Sequence, residues 1–346
     1  MRKLLLLFVL LLICVQPVHA LEMTAPTVPP SGYYAMPEEP ETFSEGFWQI
    51  VKATIGAVNP DIREAAGLCM TTLAVTLLFS IVQTVPGSQN KRLDMIASVA
   101  VATVLFSCTR SLITLGTDTI TEMAEYGKLL LPVMTAALSA QGGITTSAAL
   151  YTATALFTNV LSAMISRLLV PMVYLYLALA AAGAALGNSM LGKLQDLIKW
   201  WTVWCMKTIL YLFTGYMGIT GVVSGATDAA ALKATKLTIS GVVPVVGGIL
   251  SDASEAVLIS AGVVKNAAGI YGILAILAIC AGPFLRIGIH YLMTKLTAAL
   301  CGVIGSKGVC ALVQDFSAAM GLVLAMTGAE CILLLIGLVC FLRGVG

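Results

Sequence analysis

Charge is what this sequence has least of. Lys and Arg together number 19 and Asp and Glu 17, so only 10% of the residues are charged, while 59% are hydrophobic and mean hydropathy is +0.97. A water-soluble domain needs more charge than this to cover its surface. The formal net charge is +2. No basic tract interleaves with aromatics, which excludes nucleic acid as a partner. Chemistry-bearing patterns are equally sparse. There is no HExxH, no GxSxG and no CxxC pair, and His290 is the one histidine beyond residue 20. Gly187 to Lys193 nearly spells a phosphate-binding loop, but Leu194 stands where a Ser or Thr would hold magnesium, and an apolar stretch of helical length precedes it. Nine cysteines are scattered singly, mostly in apolar runs, where a thiol packs as a small apolar group. An enzyme is not expected, nor a cofactor, a catalytic set or a metal site.

Long apolar runs are what is present. Each is close to the ~20 residues that cross a bilayer as a helix. Helix is the required conformation, because backbone polar groups in lipid must be bonded within the chain. The expected fold is all-α: a polytopic membrane protein of about six to eight spans. Residues 1–20 read as a signal peptide. Arg2 and Lys3 precede the apolar stretch Leu4 to Val15, and Val18-His19-Ala20 offers a small-residue cleavage site. Residues 21–66 read as an external linker rich in proline, followed by an interfacial helix with Trp48 at headgroup level. Residues 67–346 form the polytopic domain.

Within that domain, Gly67 to Val85 and Met95 to Leu115 read as spans around a basic loop at Lys91 and Arg92. Asp118, Glu122 and Glu125 form an acidic stretch expected outside the cell membrane, in agreement with an external N-terminus. Leu129 to Ala140 either crosses with help from the polar residues after it or pairs with Ser147 to Ile165 as a re-entrant hairpin. Spans follow at Leu168 to Leu186 and Val203 to Val223, the latter led by Trp200, Trp201 and Trp204. Further spans follow at Ala267 to Ile289 and Ala319 to Leu342. Lys295 to Asp315 reads as an amphipathic connector.

Four charges inside apolar sequence are the candidate site residues: Asp252, Glu255, Lys265 and Glu330. Pro244 and Gly247-Gly248 interrupt the segment from Ile239 to Gly272, and Asp252 and Glu255 open a second short helix ending near Lys265. Two readings fit. Asp252 and Glu255 are an N-terminal capping box with Lys265 at the helix C-terminus, or the segment is a broken, re-entrant helix lining a polar path. Glu330 lies within the last span, where an ionised carboxylate costs at least about 2.5 kcal/mol. It is either an ion or proton site or a contact between helices. Arg286 and His290, one turn apart, are expected to snorkel to water, and Arg167 to mark the boundary between two spans.

The leader on a polytopic chain, the block SGATDAAALKATKLTISGVVPVVGGILSDASEAVLISAGVVKNAAG (Ser224 to Gly269), the stretch GPFLRIGIHYLMTKLTAAL (Gly282 to Leu300) and the apolar C-terminal span carry a resemblance. The chain resembles the stage III sporulation protein AE family of endospore-forming bacteria. The resemblance implies a multi-pass subunit in the mother-cell membrane around the forespore. Its expected partners are the lipid bilayer, the other stage III sporulation A proteins and stage II sporulation protein Q, in a channel or secretion-like complex that sustains late forespore development. A homo-oligomer is also open to it. The competing reading is an independent secondary transporter or permease for a small solute or ion.

Overall fold

The computed structural model describes residues 26–37, 42–83, 90–186, 189–242, 247–304 and 307–343, without the side chains of 90–91, 189–190, 221–262 and 264. The expected signal peptide lies outside the described residues. The described elements are all helical. A single turn, α1 (Pro30–Tyr33), precedes α2 (Phe43–Gly56) and α3 (Asn59–Gln83). There follow α4 (Asn90–Ala140), α5 (Ile144–Met164), a π-helical turn (Ile165–Leu169), α6 (Val170–Leu186), α7 (Ser189–Val242), α8 (Gly247–Ile304) and α9 (Lys307–Arg343). Five stretches among the described residues are long and apolar enough to cross a membrane: Asn59–Gln83, Arg92–Ala140, Ile144–Leu186, Lys265–Ile304 and Lys307–Arg343.

The helices are longer and fewer than the sequence suggests. The acidic stretch Asp118 to Glu125 is no loop; it is helical within α4, and Leu129 to Ala140 continues the same rod. Pro132 removes one backbone bond without ending the helix. The hairpin turn comes at Gln141 to Gly143, where Gly142 takes φ 92°, a left-handed conformation open to glycine at little cost. Ser139 and Ser147 close the hairpin at 2.6 Å between hydroxyl oxygens. The π-helical turn immediately precedes Pro171. Proline has no N–H to offer the carbonyl one turn back, and the widened turn accommodates that loss. Lys295 to Ile304 is likewise no separate connector but the end of α8.

The core is a seam of α4, α8 and α9. Helix α8 runs antiparallel to both. Along it, Gly269 meets Leu342 and Met134, Gly272 meets Leu130 and Leu338, and Tyr291 meets Gly321. Gly116 and Gly127 of α4 bring α9 close at Val323 and Leu334. Small residues here let the helix backbones approach closely. From Gly269 to Cys301, which contacts Thr76 of α3, α8 stays packed over about 48 Å at 1.5 Å per residue. Helix α2 keeps step with α8 rather than lying across the bundle. Ile50 is buried against Leu274 and Ala278, and Asp61, at the start of α3, reaches Arg286. Gly32 of α1 packs on Ile279, and the Ser31 hydroxyl donates to a Glu122 carboxylate oxygen.

Several hydroxyls in this interior bond locally. Thr72, Thr76, Thr119, Thr297 and Thr327 each donate to the carbonyl four residues back, which satisfies the group without a partner helix.

A Cβ at Gly116 stands 2.5 Å from Val323 Cγ1, a branched and buried side chain. Gly116→Val overpacks the α4–α9 seam and lowers stability by about 1–3 kcal/mol. Thermal unfolding in detergent checks this, with Gly67→Val, which meets nothing, as the neutral control.

Candidate functional site

Among the described residues, Glu330 is the most enclosed carboxylate, with 0% exposure. It shares a face of α9 with Thr327 and Leu334, which meet Gly116 and Gly127 of α4. Neither carboxyl oxygen has a hydrogen-bond partner among the described residues. Beside it on α9, Cys331 faces Cys280 of α8. A carboxyl group buried this way is costly to ionise without a counter-charge. It is kept despite that cost, which marks it as a candidate for function.

Lys265 is also buried, at 5% exposure, but it does not serve Glu330. Glu330 lies level with Cys280 of α8, and 280 and 265 are about 22 Å apart along the helix. The expected capping box is not formed. Asp252 and Glu255 are helical and lie inside α8, which begins at Gly247. Lys265 is in mid-helix, because α8 continues to Ile304. An N-cap needs non-helical backbone at the first free N–H groups, and Asp252 is past that point. The side chains of Asp252 and Glu255, and the interruption at Pro244, lie outside the described residues. The structure thus separates Glu330 from Lys265 and leaves the other two as positions on a helix.

A second polar centre joins three helices. Arg286 of α8 donates from Nη2 to Glu64 Oε2 at 2.8 Å. Its Nε lies 3.3 Å from Asp61 Oδ1, close enough to attract but not aligned as a hydrogen bond. Both carboxylates come from the first turns of α3. One turn beyond Arg286, His290 is fully buried and does not reach water. Its Nδ1 is 3.5 Å from Cys108 Sγ on α4, and its Nε2 has no partner among the described residues. Snorkelling fails here because α3 and α4 cover this face of α8. The sequence carried half a signal for this centre. Asp61 and Glu64 share a face at helical spacing, as do Arg286 and His290, but nothing linked the two pairs to each other or to Cys108.

The comparisons bear on this arrangement. The family model described as "Stage III sporulation protein AE" matches residues 38–343, which includes every helix from α2 onward. The chain belongs to the stage III sporulation protein AE family. A similar curated protein is stage III sporulation protein AE of Bacillus subtilis (strain 168). It is 22% identical over 270 residues, covering 77% of this chain and 67% of the relative. No solved structure matches. Membership assigns the chain a role in sporulation.

A carboxyl group that has no partner contributes little to stability, so an apolar residue of similar shape is tolerated there. Glu330→Leu is expected to change unfolding free energy by less than about 1 kcal/mol while lowering the yield of heat-resistant spores. Unchanged spore yield at normal protein level removes Glu330 from the functional residues.

Proposed function

We propose that this chain is a membrane subunit of a transenvelope channel or secretion-like complex between mother cell and forespore, and that half of its helical bundle stands outside the bilayer. It acts as a structural or permease-like component, not an enzyme. One observation on α4 carries the reading. Between Arg92 and Arg110 the exposed side chains include Ile96, Val99 and Phe106. From Ser111 to Lys128 they are Ser111, Thr114, Asp118, Thr121, Glu125 and Lys128, and Leu129, Pro132, Ala136 and Ala140 follow toward the helix end. Arg92 and Arg110 are about 27 Å apart along the helix, close to the thickness of a hydrocarbon core. A further ~45 Å of α4 lies beyond Arg110.

Other helices support the same boundary. Arg167 is exposed in the π-helical turn, and beyond it Leu168 of the turn and Leu175 and Leu186 of α6 are exposed. On α3, the exposed large side chains after Glu64 are Met70, Leu77, Leu78, Ile81 and Val82, with Gly67, Thr71 and Ala74 between them. On α8, Leu292, Leu296, Leu300 and Val303 are exposed beyond Arg286, whereas residues 272–280 are covered. In this placement α7 adds a sixth passage, with Trp200, Trp201 and Trp204 packed together near Lys199 at headgroup level. The short joints after α3, α6 and α8 are followed by Lys91 and Arg92, by Lys193, and by Lys307. That bias favours the cytoplasm for this end. The opposite half, with α1, α2 and the acids of α4, then faces the space between the two membranes. A partner there meets a rigid, packed surface.

Site-specific crosslinking in sporulating cells tests this. A photoreactive residue at Glu125 is expected to capture another stage III sporulation A protein or stage II sporulation protein Q, whereas one at Val99 captures lipid only. The purified chain in liposomes is expected to move no solute. Solute uptake by the chain alone, without a captured sporulation partner, overturns the proposal in favour of an independent transporter.

A further inference from the structure

We infer that Glu64, Cys108 and His290 form a binding site for a borderline divalent metal ion such as zinc or cobalt. Each residue comes from a different helix: α3, α4 and α8. One donor atom from each lies within 4.8 Å of the others. In a tetrahedral zinc site the ligand atoms stand about 3.4–3.8 Å apart, as bond lengths of 2.0–2.3 Å require. Cys108 Sγ and His290 Nδ1, at 3.5 Å, already meet that spacing. Only the Glu64 carboxylate has to close in, and it is the mobile partner: its side chain is 53% exposed at the helix start. A fourth position stays open to water, as in sites with three protein ligands.

The donor set selects the metal. One sulfur, one nitrogen and one oxygen suit zinc, cobalt or nickel. Magnesium and calcium prefer oxygen throughout. Local charge favours the ion as well. Asp61 and Glu64 present two carboxylates to one guanidinium, that of Arg286, which leaves an excess negative charge. Metal binding releases the Cys108 proton to water and forms a metal–thiolate bond. Two carboxylates, one thiolate, Arg286 and a divalent cation then sum to zero. Arg286 does not block the ion: it engages Glu64 through Oε2, leaving Oε1 available, and Asp61 holds it independently. An enclosed imidazole lacking a partner at one nitrogen, facing a thiol beside an acidic rim, is a costly arrangement for packing alone. Joining three helices, the ion would clamp α3 to the α4–α8 seam.

The test uses the full chain in detergent, reduced and stripped with chelator, then titrated with cobalt. The expected result is one bound ion per chain with a thiolate-to-cobalt charge-transfer band in the near ultraviolet, displaced by zinc. Cys108→Ser is expected to abolish the band, and His290→Gln to weaken binding by about 100-fold or more. Zinc should raise the melting temperature of the parent chain and not that of Cys108→Ser. Should His290→Gln fail to fold, Glu64→Gln at the exposed rim carries the comparison, with binding reduced about 10-fold. No band in the parent chain, or a band of equal strength in Cys108→Ser, overturns the inference. Solute transport and sporulation partners do not enter these readouts, so the result is independent of the proposed function.

Discussion

Close contact along the α4–α8–α9 seam is the interaction on which the rest of the structure depends. Gly116, Gly127, Gly269 and Gly272 each receive a branched side chain from a neighbouring helix, and the many small contacts add up. These contacts lie beyond the boundary proposed at Arg110, where burial of Met123, Leu130, Leu334 and Leu338 also gains the hydrophobic contribution. Inside the bilayer, apolar side chains gain nothing from leaving one greasy surface for another, and fit alone remains. One continuous core thus serves two solvents.

That continuity positions the polar groups. The seam holds Glu330 between helices that cannot separate without opening the core. The Arg286 centre sits at its flank, where α3 begins. Glu330 has no charged partner among the described residues, while Arg286 has two. The contrast follows from location: Arg286 is half-exposed where α3 supplies fresh carboxylates, and Glu330 is sealed by three helix faces.

How far could the sequence be read? Helical class and membrane location followed from composition, because long apolar runs with so few charges admit little else. Span boundaries did not. Asp118, Glu122 and Glu125 suggested a loop because charges inside a span are expensive, yet they ride on a helix that has left the bilayer in the placement proposed above. The expected loop is helix, and the external side stays part of that placement. The Asp252–Glu255 spacing suggested a cap, but a spacing of three occurs anywhere on a helix and cannot fix its start. Glu330 was legible through rarity alone. The Glu64–Cys108–His290 grouping was not, because tertiary packing unites residues that no local pattern connects.

The attachment of α1 and α2 to α8 has a consequence for how the chain is made. Glu64 and Arg286 are 222 residues apart, and Ile50 waits for Leu274 in the same way. During synthesis the N-terminal segment is delivered first, and apart from the Ser31–Glu122 contact with α4 its packing surface on α8 emerges much later. The early helices must therefore remain uncommitted while the middle of the chain is inserted. Final closure is a late event, which leaves a newly made N-terminal segment open to chaperones or to premature capture.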